Sequence, residues 1–167
     1  MQINSGSTLD LTSTTGHNFG SIPDSKVTGN GRLRISSANV ATATAEFPMG
    51  DFGLFLDNEG GTVEFYGDAL FGATTLTIPT NKADGIPIIS YKNLVLSPNT
   101  NENIVMPNSN LTVYGDYTVS GAAVSAVSQL PVSNTTSYSL TIHGNLDVVS
   151  GTLRYMHVPN VAQHVIV

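Results

Sequence analysis

The chain contains no cysteine, so neither a disulfide nor a thiolate-bound zinc can hold its fold. Charge is scarce as well. Only 11% of residues are Asp, Glu, Lys or Arg, against roughly 25% in an average domain. The charge that exists is mostly acidic, 12 Asp and Glu against 6 Lys and Arg, a net −6. Nucleic acid recognition needs clustered Lys and Arg to neutralise phosphates. The one close basic pair, Arg32 and Arg34, falls on a single strand face and reads as a solvated surface. No nucleic acid partner is therefore expected, and an anionic membrane surface is disfavoured for the same reason. No stretch approaches the ~20 apolar residues of a membrane span, so no membrane insertion is expected. Met1 to Ser21 is polar and Gly-rich, without the basic start and apolar run of a secretory signal. Helix signals are nearly missing too; the best candidate, Ala122 to Gln129, is short and rich in Ser and Val.

What fills the chain instead is Thr, Ser, Asn and Gly around short apolar clusters. Thr favours strands, and Asn, Ser and Gly favour turns. With 40% hydrophobic residues the chain is not compositionally disordered. Its 167 residues suffice for a buried core, and with no linker dividing them we expect one domain, 1–167. Alternating triplets dominate: Leu9-Asp10-Leu11, Leu33-Arg34-Ile35, Val63-Glu64-Phe65, Leu94-Val95-Leu96, Leu111-Thr112-Val113, Leu140-Thr141-Ile142 and Leu153-Arg154-Tyr155. Each is bounded by turn residues.

Two units recur. Ser7 to Leu11, Gly31 to Ile35, Gly61 to Phe65 and Gly151 to Tyr155 share a small residue, Thr or Arg, then apolar, charged, apolar. Period-two alternation predicts that Asp10, Arg34, Glu64 and Arg154 face water while Leu9, Leu33, Val63 and Leu153 are buried. The second unit reads NLTVYGD at Asn110 to Asp116 and SLTIHGN at Ser139 to Asn145, with a weaker copy, NLVLSPN, at Asn93 to Asn99. Recurring strand-turn-strand modules predict stacked rungs with columns of Leu, Val and Ile inside and insertions outside. Leu94 and Leu111 stand 17 residues apart, which reads as one bare rung. Leu111 and Leu140 are 29 apart, which reads as a rung carrying the polar insertion Gln129 to Ser137. Leu111 and Val113 are expected beside Leu140 and Ile142 in parallel. The expected fold is all-β, a right-handed parallel β-helix (β-solenoid) with outward loops; the alternative is an antiparallel β-sandwich. Phe47, Phe52, Phe55 and Phe71 lie in irregular stretches and are expected to form a small satellite core.

Taken in order, TLDLTSTTGH, GNGRLRISS, FPMGDF, NEGGTVEFYGD, YKNLVLS, NLTVYGDYTVSG and LTIHGNLDVVSGTL resemble the repetitive stalk regions of very large cell-surface proteins. These are adhesins and gliding-associated proteins of Bacteroidetes-type bacteria, exported by the type IX secretion system. The resemblance runs from about Thr8 to Tyr155. It implies an extracellular, cell-surface, structural or adhesive segment, an excerpt of a longer chain. Its implied partners are flanking solenoid repeats of the same polypeptide, the secretion machinery and surface glycans.

Chemistry is harder to find. Glycoside hydrolysis needs two carboxylates converging across a sugar. Asp116, Asn145 and Asp68 occupy equivalent turn positions, where Asp and Asn are ordinary turn residues. Asp57-Asn58-Glu59-Gly60, with Asp51 nearby, is the densest group of oxygen ligands, but it lacks the alternate spacing of an EF-hand and reads as a solvated loop. The histidines are scattered, and no Gly-x-Ser-x-Gly elbow is present. We therefore expect no enzyme, no catalytic residues, no cofactor and no metal site. The candidate binding feature is a face of flat rings, Tyr66, Tyr114 and His143, which occupy matching positions in the repeats and suit stacking on sugars. That face carries the alternative function, a glycan-binding or carbohydrate-active β-helix.

Overall fold

Short runs of β-branched and leucine residues, punctuated every few positions by Gly, Asn, Ser or Pro, leave room for strands but not for helices. The computed structural model describes residues 1–12, 15–20, 26–36, 42–67, 75–123, 126–130, 136–154 and 164–167. In chain order its strands are β1 (Thr8–Asp10), β2 (Arg32–Ser36), β3 (Thr42–Thr44), β4 (Thr62–Tyr66), β5 (Thr75–Thr77), β6 (Ser90–Tyr91), β7 (Asn93–Ser97) and β8 (Asn103–Val105). There follow β9 (Leu111–Val113), β10 (Tyr117–Ser120), β11 (Val127–Gln129), β12 (Ser139–Ile142), β13 (Leu146–Ser150), β14 (Thr152–Arg154) and β15 (His164–Ile166). One helical turn, α1 (Gly53–Leu56), precedes β4. The helix considered at Ala122 to Gln129 is absent where described, since β11 occupies its end.

The fold is all-β with parallel sheets. A six-stranded sheet has the order β1-β2-β4-β7-β10-β13, a five-stranded sheet β14-β11-β8-β5-β3, and a four-stranded sheet β15-β12-β9-β6. Every pairing between these strands is parallel. That excludes the antiparallel sandwich, whose neighbouring strands run in opposite directions. From β4 onward the chain visits the six-, five- and four-stranded sheets in turn, then begins again. Sequence neighbours therefore lie in different sheets, and each strand pairs with strands one pass earlier and later. Parallel pairing demands such long connections. The two-residue links Gly144-Asn145 and Ser150-Gly151 are corners between sheets rather than hairpins.

Register builds the core in columns. Leu9, Leu33, Val63, Leu94, Tyr117 and Leu146 align across the six-stranded sheet. Beside them run Ile35, Phe65, Leu96, Val119 and Val148. Leu33, Val63, Leu94, Tyr117, Phe65, Leu96 and Val119 are fully buried; the end residues Leu9 and Leu146 are half-buried. In the four-stranded sheet Leu111 meets Leu140 and Val113 meets Ile142 in parallel register, all four buried, as the paired motifs predict.

Several expectations need correction. Leu94 and Leu111 are not one rung apart: Leu94 is in the six-stranded sheet and aligns with Tyr117, while Leu111 belongs to the four-stranded sheet. The first three copies of the small-Thr/Arg unit do align across β1, β2 and β4. The fourth, at Thr152, lies in the five-stranded sheet. The same local pattern therefore serves strands of two different sheets, so resemblance between strands does not assign them to one sheet. Glu64 is buried rather than facing water, and Leu153 is only half-buried. Phe47, Phe52 and Phe55 are not a satellite. They are fully buried in the main core, with edge-to-face contacts of 5.0 Å between Phe47 and Phe52 and 6.4 Å between Phe52 and Phe55. Phe71, Asp68 and Tyr155 lie outside the described residues.

Candidate functional site

The residue after β9 is Tyr114 and the residue after β12 is His143. Because these strands pair in parallel register, the two rings are carried side by side past the ends of adjacent strands. They stack with centroids 5.9 Å apart and planes 10° apart. The backbone locks this alignment: Tyr114 N–H donates to Tyr91 O and His143 N–H to Val113 O. Two of the three expected rings are therefore brought together.

Tyr66 does not join them. It ends β4 in the six-stranded sheet, where its hydroxyl donates to Asp10 Oδ1 at 2.8 Å and the Arg34 guanidinium lies 4.0 Å above its ring. The outward column here alternates in sign. Asp10, Arg34 and Glu64 are in register across β1, β2 and β4. Arg34 Nη1 reaches Asp10 Oδ2 at 2.8 Å, Arg34 Nε reaches Glu64 Oε2 at 3.0 Å, and Arg32 Nη1 reaches the same oxygen at 3.0 Å. Arg32 and Arg34 are thus an ion-pair network rather than a free basic face. Both guanidiniums pair the Glu64 carboxylate, which burial would otherwise leave as an uncompensated charge.

Asp116 and Asn145 stack as their motif positions suggest, and they complete a hydrogen-bond ladder. Asp116 N–H donates to Asn93 Oδ1 at 3.0 Å; Asn145 N–H and Nδ2 donate to Asp116 Oδ1 at 2.9 and 3.1 Å. The preceding glycine is required by this geometry. A Cβ on Gly115 would come within 2.2 Å of Asn93 Oδ1. Asp116 faces an amide on this ladder rather than a second carboxylate. Asp57 Oδ1 accepts its neighbour's N–H at 2.7 Å, and Asn58 Oδ1 accepts from Lys92 Nζ at 3.2 Å. Among the described residues no three His, Asp or Glu side chains gather in a group suited to a metal ion.

No protein-family model, curated protein or solved structure matches the chain.

One charged residue of this region was not visible to motif reading. Lys82 is 7% exposed. Its ammonium donates to Gly50 O and lies 3.3 Å from Asp84 Oδ2. Desolvation works to raise the Asp84 pKa, but the Ile86 N–H and the hydrogen bond and charge of Lys82 outweigh it and hold the carboxyl below its ordinary value. The sequence carries only a faint signal: Lys-Ala-Asp-Gly between Pro79 and Pro87 reads as a turn, in which Asp84 Oδ1 also accepts from Ile86 N–H at 3.1 Å.

Proposed function

We propose that this chain is a right-handed parallel β-solenoid segment with a structural and adhesive, non-catalytic role in a secreted bacterial cell-surface protein. The observation that carries the reading is the order in which strands enter the sheets. Three parallel sheets visited in rotation, with each strand paired to the previous and next pass, are what a coil of stacked rungs requires. The right hand follows from the strong preference of parallel crossovers. A coil of this kind is stiff along its stack and displays its corners and loops, which suits a stalk. The likeness of its motifs to type IX-exported surface proteins supports the location and the secretion machinery as partner. At one end of the stack Val148 is 48% and Val149 71% exposed, an apolar edge that flanking repeats of the same polypeptide would cover.

An antibody raised against the chain tests the location. It is expected to label intact cells of the producing bacterium, and to lose that label when the type IX export machinery is deleted. Labelling only after lysis overturns the surface reading.

A second reading, a glycan-binding or carbohydrate-active β-helix, is favoured by the Tyr114–His143 stack. Paired flat rings at a corner offer an apolar face of the kind that the carbon-bound hydrogens of a sugar ring pack against.

A further inference from the structure

We infer that the cavity between α1, the loop preceding β6 and Tyr114 is a subsite for a neutral sugar unit. The inference rests on the glycan-binding reading and places it at a cavity of which the motifs indicated only Tyr114. The cavity is about 360 Å³, at the small end of ligand pockets, which run from roughly 300 to 1,000 Å³. Three features of its wall select the ligand.

The first is a platform. Tyr114 lines the cavity, as does Ser90 of β6. Since β9 lies between β6 and β12 in the four-stranded sheet, His143 stacks on Tyr114 from the side away from Ser90. The Tyr ring is therefore backed by a second ring and held flat. The second is an apolar wall. Phe52, Leu56 and Ile88 line it and are buried, while Ile89, also lining it, remains 70% exposed. An exposed isoleucine at the mouth of a cavity is surface that a ligand would remove from water.

The third is charge. Asp51 and Asp57 line the cavity, and each has Oδ1 engaged by a backbone N–H of its own turn, from Gly53 at 3.1 Å and Asn58 at 2.7 Å. Carboxylates accept several hydrogen bonds, so both retain capacity for ligand hydroxyls. Lys82, the cation of the wall, is already held by Gly50 O and Asp84. An apolar platform with carboxylate acceptors fits a ring with one apolar face and a hydroxylated rim. It disfavours uronates and other acidic sugars, whose charge would meet Asp51 and Asp57.

The test is an array of neutral hexose oligosaccharides alongside uronate polymers, followed by calorimetric titration of the best neutral ligand. Ile89→Asp changes an exposed side chain, and Asp57→Ala removes an exposed acceptor, so both are expected to fold; circular dichroism checks this. Each is expected to weaken binding by about tenfold or more, the loss of a good contact, while Asp147→Ala, on the six-stranded sheet, leaves it unchanged. Neutral glycan binding that Ile89→Asp and Asp57→Ala leave intact overturns this subsite and leaves the glycan reading standing. Retention of no glycan overturns both. Preferential binding of uronates, or of a Lys- and Arg-rich peptide in place of sugar, overturns the assignment of ligand.

Discussion

Glu64 shows how one residue departs from its pattern. Alternation assigns it outward, and it does lie on the outward column between Arg34 and Val95. It is nevertheless 5% exposed, because Arg32 and Arg34 fold over it and both bind Oε2. Outward on a strand and exposed to water are different properties when neighbours on adjacent strands carry long side chains. Glu64→Ala is expected to cost about 1.5–3 kcal/mol, the range for hydrogen bonds to charged groups. Partial hydration of the released Arg32 and Arg34 places it toward the lower end. Urea unfolding checks this; an unchanged midpoint would mean that the network contributes nothing.

At the scale of the strand, position in the stack decides what a side chain is worth. Leu140 on β12 has β9 on one side and β15 on the other, and is 2% exposed. Val148 on β13 continues the Val119 column but stands at the edge of its sheet, 48% exposed. Next to it the register slips by one residue, which places Val149 as the extra residue of a bulge. Such irregularities are common at sheet edges. Leu140→Ala is expected to cost about 2–5 kcal/mol, the range for buried leucine, and Val148→Ala less than about 1 kcal/mol. Equal losses in thermal or urea unfolding would contradict the stacking order. Both residues occupy apolar positions of alternating motifs, and the sequence around them does not distinguish interior from edge.

The whole molecule carries a response to alkali. The columns bury Tyr91 and Tyr117 completely, and both hydroxyls lack a hydrogen-bond partner. Burial pushes both phenols well above the ordinary value of 10.0. In the folded state they stay protonated while the unfolded chain ionises. The stability associated with the neutral phenols is therefore fully present below the unfolded pKa and is lost as pH rises above it. Each buried tyrosine should steepen the fall of unfolding free energy above about pH 10 by about 1.4 kcal/mol per pH unit. Tyr91→Phe and Tyr117→Phe should each flatten that fall. At neutral pH each should be neutral or stabilising, by up to about 1 kcal/mol, because an unpaired buried hydroxyl is removed. Urea midpoints measured from pH 8 to 12 check both; an unchanged alkaline slope in the double variant would mean the phenols are hydrated.

Period-two alternation, turn residues and scarce charge sufficed to determine that this chain is built of short strands, which residues of Leu33-Arg34-Ile35 or Leu111-Thr112-Val113 turn inward, and that Leu140 stacks on Leu111. Those properties are local, or follow from two near-identical segments needing the same environment. Which sheet a strand joins was not legible. NLVLSPN and NLTVYGD look alike, yet Asn93 begins a strand of the six-stranded sheet and Leu111 one of the four-stranded sheet, because sheet membership depends on the corners passed before the strand, not on the strand itself. The same holds for the candidate sites. Tyr114 met His143 because their strands share a sheet, and Tyr66, at a matching motif position, met Arg34 and Asp10 instead. The cavity beside Lys82 is assembled from α1, the loop before β6 and the end of β9. These are stretches with no common pattern, joined only when the parallel sheets assemble and exclude water from between them.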